Sequence, residues 1–166
     1  MAGYVIHLAV AQEYLRKHSD IKENYEEFIE GVIYPDSVSD KSLTHYGSKS
    51  SKVILKDFLK ENKLDDSYKR GYFLHLVTDY LFYNRYLDIF TKDIYNDYDI
   101  LNKFLIEKYN VKIPRKVENS IFYNEGETKI LTKELAEKVI DEISDLNLDV
   151  IEREINENPD DEKWLK

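Results

Sequence analysis

A chain of 166 residues with 33 acidic against 24 basic side chains, a net charge of −9 and a pI near 5.0 lacks the basic stripe that an extended nucleic-acid backbone requires. Hydrophobic residues at 42% and aromatic residues at 13% exclude wholesale disorder, and the length suits one domain with a real core. With no cysteine, disulfides and thiolate ligands are excluded, so any metal must be held by imidazole nitrogen and carboxylate oxygen.

The first apolar run, MAGYVIHLAVAQEYL, has no basic segment ahead of it and carries His7 inside it. It reads as a folded helix over 3–18 rather than a signal peptide or membrane span, and the location expected is cytoplasmic. Tyr4, Ile6, Leu8, Val10, Ala11, Tyr14 and Leu15 give this helix a broad apolar face. Gly3 and Ala11 leave room around His7, whereas His18, at the polar end, is expected in solvent. A short amphipathic helix over 22–30 should stop at Gly31. Pro35 then forbids helix and holds Tyr34 extended, so Asp36 is presented from a fixed turn in IYPDS. Residues 40–50 form a polar loop that contains Thr44, His45 and Tyr46, and a helix over 50–61 follows.

The next stretch, RGYFLHLVTDYLFYNR, is apolar or aromatic on nearly every side at helical spacing. That pattern predicts a buried central helix over about 68–87, capped from the NKLDDS linker. Inside it His75 and Asp79 lie four apart, so both side chains leave one face on successive turns. A buried carboxylate costs several kcal/mol unless it is paired or coordinated, and no lysine in this run can pair it. An internal His–Asp hydrogen bond satisfies the pattern, and so does a metal ion. Downstream, helices are expected over 91–110, 132–146 and 149–157, with a mixed loop between 114 and 129, and Trp164 and Leu165 pinning the tail. The architecture read from the pattern is all-α, one domain of about seven helices around the central one.

Three of the four histidines and two aspartates thus fall early in the chain, as His7, Asp36, His45, His75 and Asp79, on apolar helices or restrained loops. Imidazole with carboxylate suits a divalent ion, zinc first, with manganese, iron or magnesium as alternatives. The chain has no Glu-x-x-His pair of a di-iron bundle, no HEXXH, no glycine-rich phosphate loop and no GxSxG elbow. Metal-assisted hydrolysis survives that elimination.

The segments GYVIHLAVA, IYPDS, THYG and GYFLHLVTDYLFY, in that order over residues 3–90, resemble the bacterial zinc-dependent phospholipase C family, in its small intracellular branch. The resemblance implies an all-α bundle with a metal cluster that hydrolyses a phosphoester. His7 then matches the ligand of one metal position, and Asp36, His45, His75 and Asp79 match those of its neighbour, with Asp79 bridging the two. The secreted members use an N-terminal Trp as a ligand, where this chain begins Met-Ala-Gly. They also supply two more histidines and a glutamate after the HxxxD helix, whereas this chain has no histidine beyond His75. One or two ions are therefore implied rather than three, acting on a small phosphorylated substrate. Asp36 and Asp79 are the catalytic carboxylates, Asp36 partly as general base, and Arg85 is a candidate contact to the phosphate. The pattern is similar, more distantly, to HD-type phosphohydrolases, although their adjacent His-Asp pair is absent. Asp99 is a possible extra ligand. The other function class open to the chain is a non-catalytic helical protein that keeps a structural metal or binds a phosphorylated ligand.

Overall fold

In this computed structural model, which describes residues 3–164, seven α-helices are joined by loops and short 3-10 turns, and no strand occurs among the described residues. They are α1 (Tyr4–Lys17), α2 (Tyr25–Ile33), α3 (Leu55–Glu61), α4 (Ser67–Leu81), α5 (Asp93–Tyr109), α6 (Lys133–Ser144) and α7 (Leu148–Glu157). Four of them start where a side-chain oxygen takes up a free backbone N–H. Asn24, Asp66, Thr132 and Asn147 accept from Glu27, Lys69, Leu135 and Val150 respectively.

The helix expected to be central is central. Every residue of α4 from Arg70 to Leu81 is buried, and the helix packs on α1, α2, α3 and α7. It runs on into a π-turn, Phe82–Tyr86, closed by the Leu87 N–H on the Phe82 carbonyl at 3.0 Å. α1 is the second interior helix: it buries Val5 to Ala11 and Tyr14 and packs on α2, α4, α5 and α6. The Arg70 guanidinium, itself buried, ties α4 to the lead-in of α2 through Glu23 at 2.6 Å and to α7 through Asp149 at 2.7 and 3.1 Å. Trp164 is buried near Tyr80, as expected of the tail, while Leu165 lies outside the described residues.

The crossing of α2 and α4 is backbone against backbone. A Cβ on Gly31 would sit 2.0 Å from the Tyr68 carbonyl oxygen, and one on Gly71 would sit 2.0 Å from the Phe28 carbonyl oxygen. Each glycine therefore admits the other helix. Gly31 does not stop α2, as its position in the sequence suggested; the helix continues to Ile33 because the missing side chain is needed for packing rather than for a cap. Nor is Tyr34 extended. Its φ of −56° and ψ of −46° carry the chain straight into a 3-10 turn, Tyr34–Asp36, in which the N–H that Pro35 lacks is not required.

Asp97, in the first turns of α5, is buried and accepts three backbone N–H groups, from Lys129, Ile130 and Leu131, at 2.7 to 2.9 Å. It holds the strand of chain that leads into α6. His18, expected in solvent, is half-buried, with Nε2 3.1 Å from the Ser144 carbonyl and its ring against Tyr14. It fastens the end of α1 to α6.

Gly71→Ala should force α2 off α4 and destabilise the protein by about 3 kcal/mol, lowering the melting temperature by roughly 6–12 °C. Asp97→Ala should cost a comparable ~3 kcal/mol by stranding three N–H donors. Thermal and urea unfolding read both losses.

Candidate metal centre

Four parts of the chain deliver the five side chains named from sequence. α1 presents His7 one turn from its start, and the 3-10 turn that ends α2 presents Asp36. His45 follows the 3-10 turn Lys41–Leu43, and successive turns of α4 present His75 and Asp79. All five are buried, from 0% exposed at His45 and Asp79 to 6% at Asp36.

The two loops are pinned to each other and to the helices. The Tyr4 hydroxyl donates to the Asp36 carbonyl at 3.0 Å, and the Lys41 ammonium donates to the same carbonyl at 2.8 Å. The Thr44 hydroxyl donates to the Pro35 carbonyl at 2.7 Å, and Tyr72 on α4 donates to the Thr44 carbonyl at 2.6 Å. These bonds fix where Asp36 and His45 stand relative to α4.

The outer nitrogen of each ligand-like imidazole is spoken for. His75 Nδ1–H donates to the Val32 carbonyl at 2.7 Å, and His45 Nδ1–H donates to the Lys41 carbonyl at 3.2 Å, with the Thr44 hydroxyl oxygen 3.1 Å away. In the neutral tautomer this network assigns, each Nε2 is a bare lone pair. The two Nε2 atoms lie 3.2 Å apart. His45 Nε2 is 3.2 Å from both Asp36 Oδ1 and Asp79 Oδ2; His75 Nε2 is 3.2 Å from Asp79 Oδ2 and 3.6 Å from Asp36 Oδ1. Lone pairs crowd together with no hydrogen between them unless a proton or a cation is supplied.

Those distances test whether a metal fits. Ligand atoms about 2.0–2.1 Å from a tetrahedral ion stand about 3.3–3.4 Å from one another. Five of the six separations among His45 Nε2, His75 Nε2, Asp36 Oδ1 and Asp79 Oδ2 are between 3.2 and 3.6 Å, and all four atoms lie within 4.8 Å. Neither carboxylate oxygen of Asp36 has a hydrogen-bond partner among the described residues. The group can hold a divalent metal ion. His7 stands beside it: Nε2 is 3.0 Å from Asp79 Oδ1 and 3.9 Å from Asp36 Oδ2, its ring is stacked on His75 at 3.7 Å, and its buried Nδ1 has no partner among the described residues.

Burial works against every charge here, and the partners decide the outcome. Burial alone would lower His45, but its bonds to Asp36 and Asp79 prevail and push it up to about 9. Burial likewise raises Asp36, yet the charge of His75, the bond from His45 and the charge of His7 hold its carboxyl below the ordinary range. Asp79 is held well below it, against its own burial, with His7, His75 and His45 contributing. For His7, burial and the neighbouring His75 win over the carboxylates and lower it. In the metal-free cluster the bonds to Asp36 and Asp79 thus favour the protonated form of His45.

Other residues singled out from sequence lie elsewhere. Arg85 donates to the Lys163 carbonyl at 2.6 Å and lines a cleft with Leu81, Glu142 and Trp164. Ten residues at about 100° per residue carry it roughly 80° round from His75, and the π-turn intervenes. Asp99 is half-buried in the cleft that Asp36 also lines, outside the four-residue group. Thr44 and Tyr72, by contrast, belong to the site by bonding its loops rather than as ligands. The only signal was their placement, Thr44 next to His45 and Tyr72 three before His75. The Val32 and Lys41 carbonyls leave no mark in a sequence at all.

A metal must displace the proton on His45, so binding at pH 7.5 should release about one proton, read by calorimetry in buffers of different ionisation enthalpy. His45 stands above its ordinary value near 6.5. The stability it lends the metal-free protein, on the order of 3 kcal/mol, is therefore complete below about pH 6.5 and lost as pH rises through about 9. Melting curves of chelated protein should fall across that window, and saturating metal should remove the fall.

No family model matches the chain, and neither a curated protein nor a solved structure matches it.

Proposed function

We propose that the protein is a metal-dependent hydrolase of the phosphoesterase type, acting on a small phosphorylated substrate. The observation that carries this reading is the double position of Asp36. Its carboxylate belongs to the buried cluster and is fully enclosed, while the rest of the residue borders a cleft of about 420 Å³ together with Tyr4, Ser37, Tyr98 and Asn102. Through Asp36 that cleft abuts the ligand group, which is the side from which a substrate would approach it.

In this reading His45, His75, Asp36 and Asp79 hold one ion, for which zinc suits the two nitrogens and two oxygens best, and manganese, iron and magnesium are the alternatives. His7, with the outer oxygens of Asp36 and Asp79, would hold a second ion more weakly. When bound, the ion supplies Lewis acidity, which makes nearby water nucleophilic near neutral pH and offsets charge gathering on the phosphoryl oxygens. The chain supplies orientation and the proton acceptor. The Val32 and Lys41 carbonyls keep His75 and His45 in the tautomer that turns Nε2 inward. Asp36, whose carboxylate oxygens have no hydrogen-bond partner among the described residues, would take the proton of the attacking water. No described helix is long and apolar enough to cross a membrane, and a small phosphorylated substrate needs none.

A specific observation favours a second reading. The four ligand-like residues are between 0% and 6% exposed, which suits an ion that holds α2, α4 and the His45 loop together without chemistry. Elemental analysis and assays with chromogenic phosphodiesters and phosphomonoesters, with zinc, manganese or magnesium added, separate the two. Turnover with one or two bound ions, lowered roughly 100-fold or more by His75→Ala or Asp79→Ala together with metal content, is the expected result. Stoichiometric metal with no turnover across the panel would leave the structural ion.

A further inference from the structure

The second cleft beside the cluster has the opposite charge from the protein as a whole. It measures about 380 Å³ and gathers Lys41, Lys49 and Lys92 with the hydroxyls of Ser50, Ser51 and Thr91, and no carboxylate is among the residues lining it. In a chain of net charge −9 that is a marked local reversal. Lys49 and Lys92 have no ion-pair partner among the described residues, and Lys41 bonds only to the carbonyls of Asp36 and Val38. Lys92 is also the N-cap of the 17-residue helix α5, whose first N–H, that of Asp93, donates to the Thr91 hydroxyl oxygen at 3.2 Å. The one acidic residue of its first turn, Asp93, lines the adjoining cleft instead.

The cleft shares walls with the metal cluster. Lys41 provides the carbonyl that accepts from His45 and donates its ammonium to the Asp36 carbonyl. Tyr83 lines the cleft, lies close enough to Asp79 and Asp36 to sense both charges, and meets the Tyr98 hydroxyl at 3.4 Å; Tyr98 in turn lines the cleft that contains Asp36. An anion held among the lysines is therefore next to the ion position.

We propose that this cleft, lined by Lys41, Lys49, Lys92, Ser50, Ser51 and Thr91, is an anion subsite that takes a phosphate group. The substrate is then a multiply charged phosphoester rather than a zwitterionic phosphodiester. The anion subsite stands on its own; its assignment to a substrate rests on the phosphoesterase reading. Phe90 and Tyr83, with ring centres 4.7 Å apart, are the aromatic faces that a quaternary ammonium would seek. Three ammonium groups in the same cleft oppose it, and the two ligand classes make opposite demands of the site.

Backbone amide shifts of the metal-loaded full-length protein, titrated with inorganic phosphate and separately with phosphocholine, test this. Phosphate should move the amides of Ser50, Ser51, Thr91 and Lys92, and the paired change Lys49→Ala and Lys92→Ala should weaken it by about tenfold. Lys49→Arg with Lys92→Arg should restore binding, and phosphocholine should bind about tenfold more weakly than phosphate. Phosphate binding unchanged in the double alanine variant, or phosphocholine binding as tightly as phosphate, would overturn the subsite. If the double variant loses phosphate binding while the wild type hydrolyses nothing, the subsite stands and the enzyme reading falls. Hydrolysis of a phosphorylated phosphoester with KM unmoved by the double variant removes the subsite and leaves the enzyme.

Discussion

Two carboxylates held out of water within reach of the same imidazoles are the constraint around which this protein is arranged. Each one alone would cost several kcal/mol to bury, and side by side they repel. Asp36 and Asp79 tolerate burial because His45 and His75 present nitrogen to both of them, and because the outer nitrogens of those rings are bound to carbonyls and cannot turn away. The cluster consequently has two ways to be satisfied, by a proton on His45 or by a cation. Its geometry is indifferent to which, since the spacing that suits an N–H···O contact is close to the edge of a tetrahedral coordination shell.

That geometry is set by the helix crossing rather than by the cluster itself. Val32, whose carbonyl orients His75, follows Gly31 by one residue, and Asp36 follows it by five. The Gly31–Gly71 approach brings α2 so near α4 that a backbone carbonyl of one reaches an imidazole of the other at 2.7 Å. A wider crossing, as any side chain there would enforce, would take Val32 and Asp36 away from α4 together. Fold stability and ligand spacing are therefore coupled at two residues that carry no chemistry. The remaining restraint, from Tyr72 through Thr44 to Pro35, works in the same sense by drawing the His45 loop onto the turn that holds Asp36.

The parts of this arrangement that were legible in the sequence are those with local periodicity. The burial of α4 followed from apolar residues on all sides, and the shared face of His75 and Asp79 followed from their spacing of four. Helix ends at Asn24, Asp66, Thr132 and Asn147 belong to residue types that favour caps. What was not legible depends on contacts between distant segments. Gly31 reads as a stop signal unless Gly71 is known to lie against it. Asp97 reads as a helix-start aspartate unless the 129–131 backbone is known to fold over it. His18 reads as solvated unless α6 is known to end beside it. Arg85 differs in kind: between His75 and Arg85 the regular helix gives way to a π-turn, and the guanidinium meets the Lys163 carbonyl in a separate cleft.

Charge counting links the cluster to the lysine-lined cleft. A proton on His45 puts one positive charge beside the two carboxylates, and a divalent ion held by neutral imidazoles would put two there. The exchange would make the cluster one unit more positive and so favour the proposed anion among Lys41, Lys49 and Lys92. A cation that favours the anion must be favoured by it to the same degree, because the coupling free energy between two sites is reciprocal. An acidic protein can in this way hold a negatively charged ligand without a basic surface. The charge reversal lies in one cleft, and loading the buried site beside it would strengthen it.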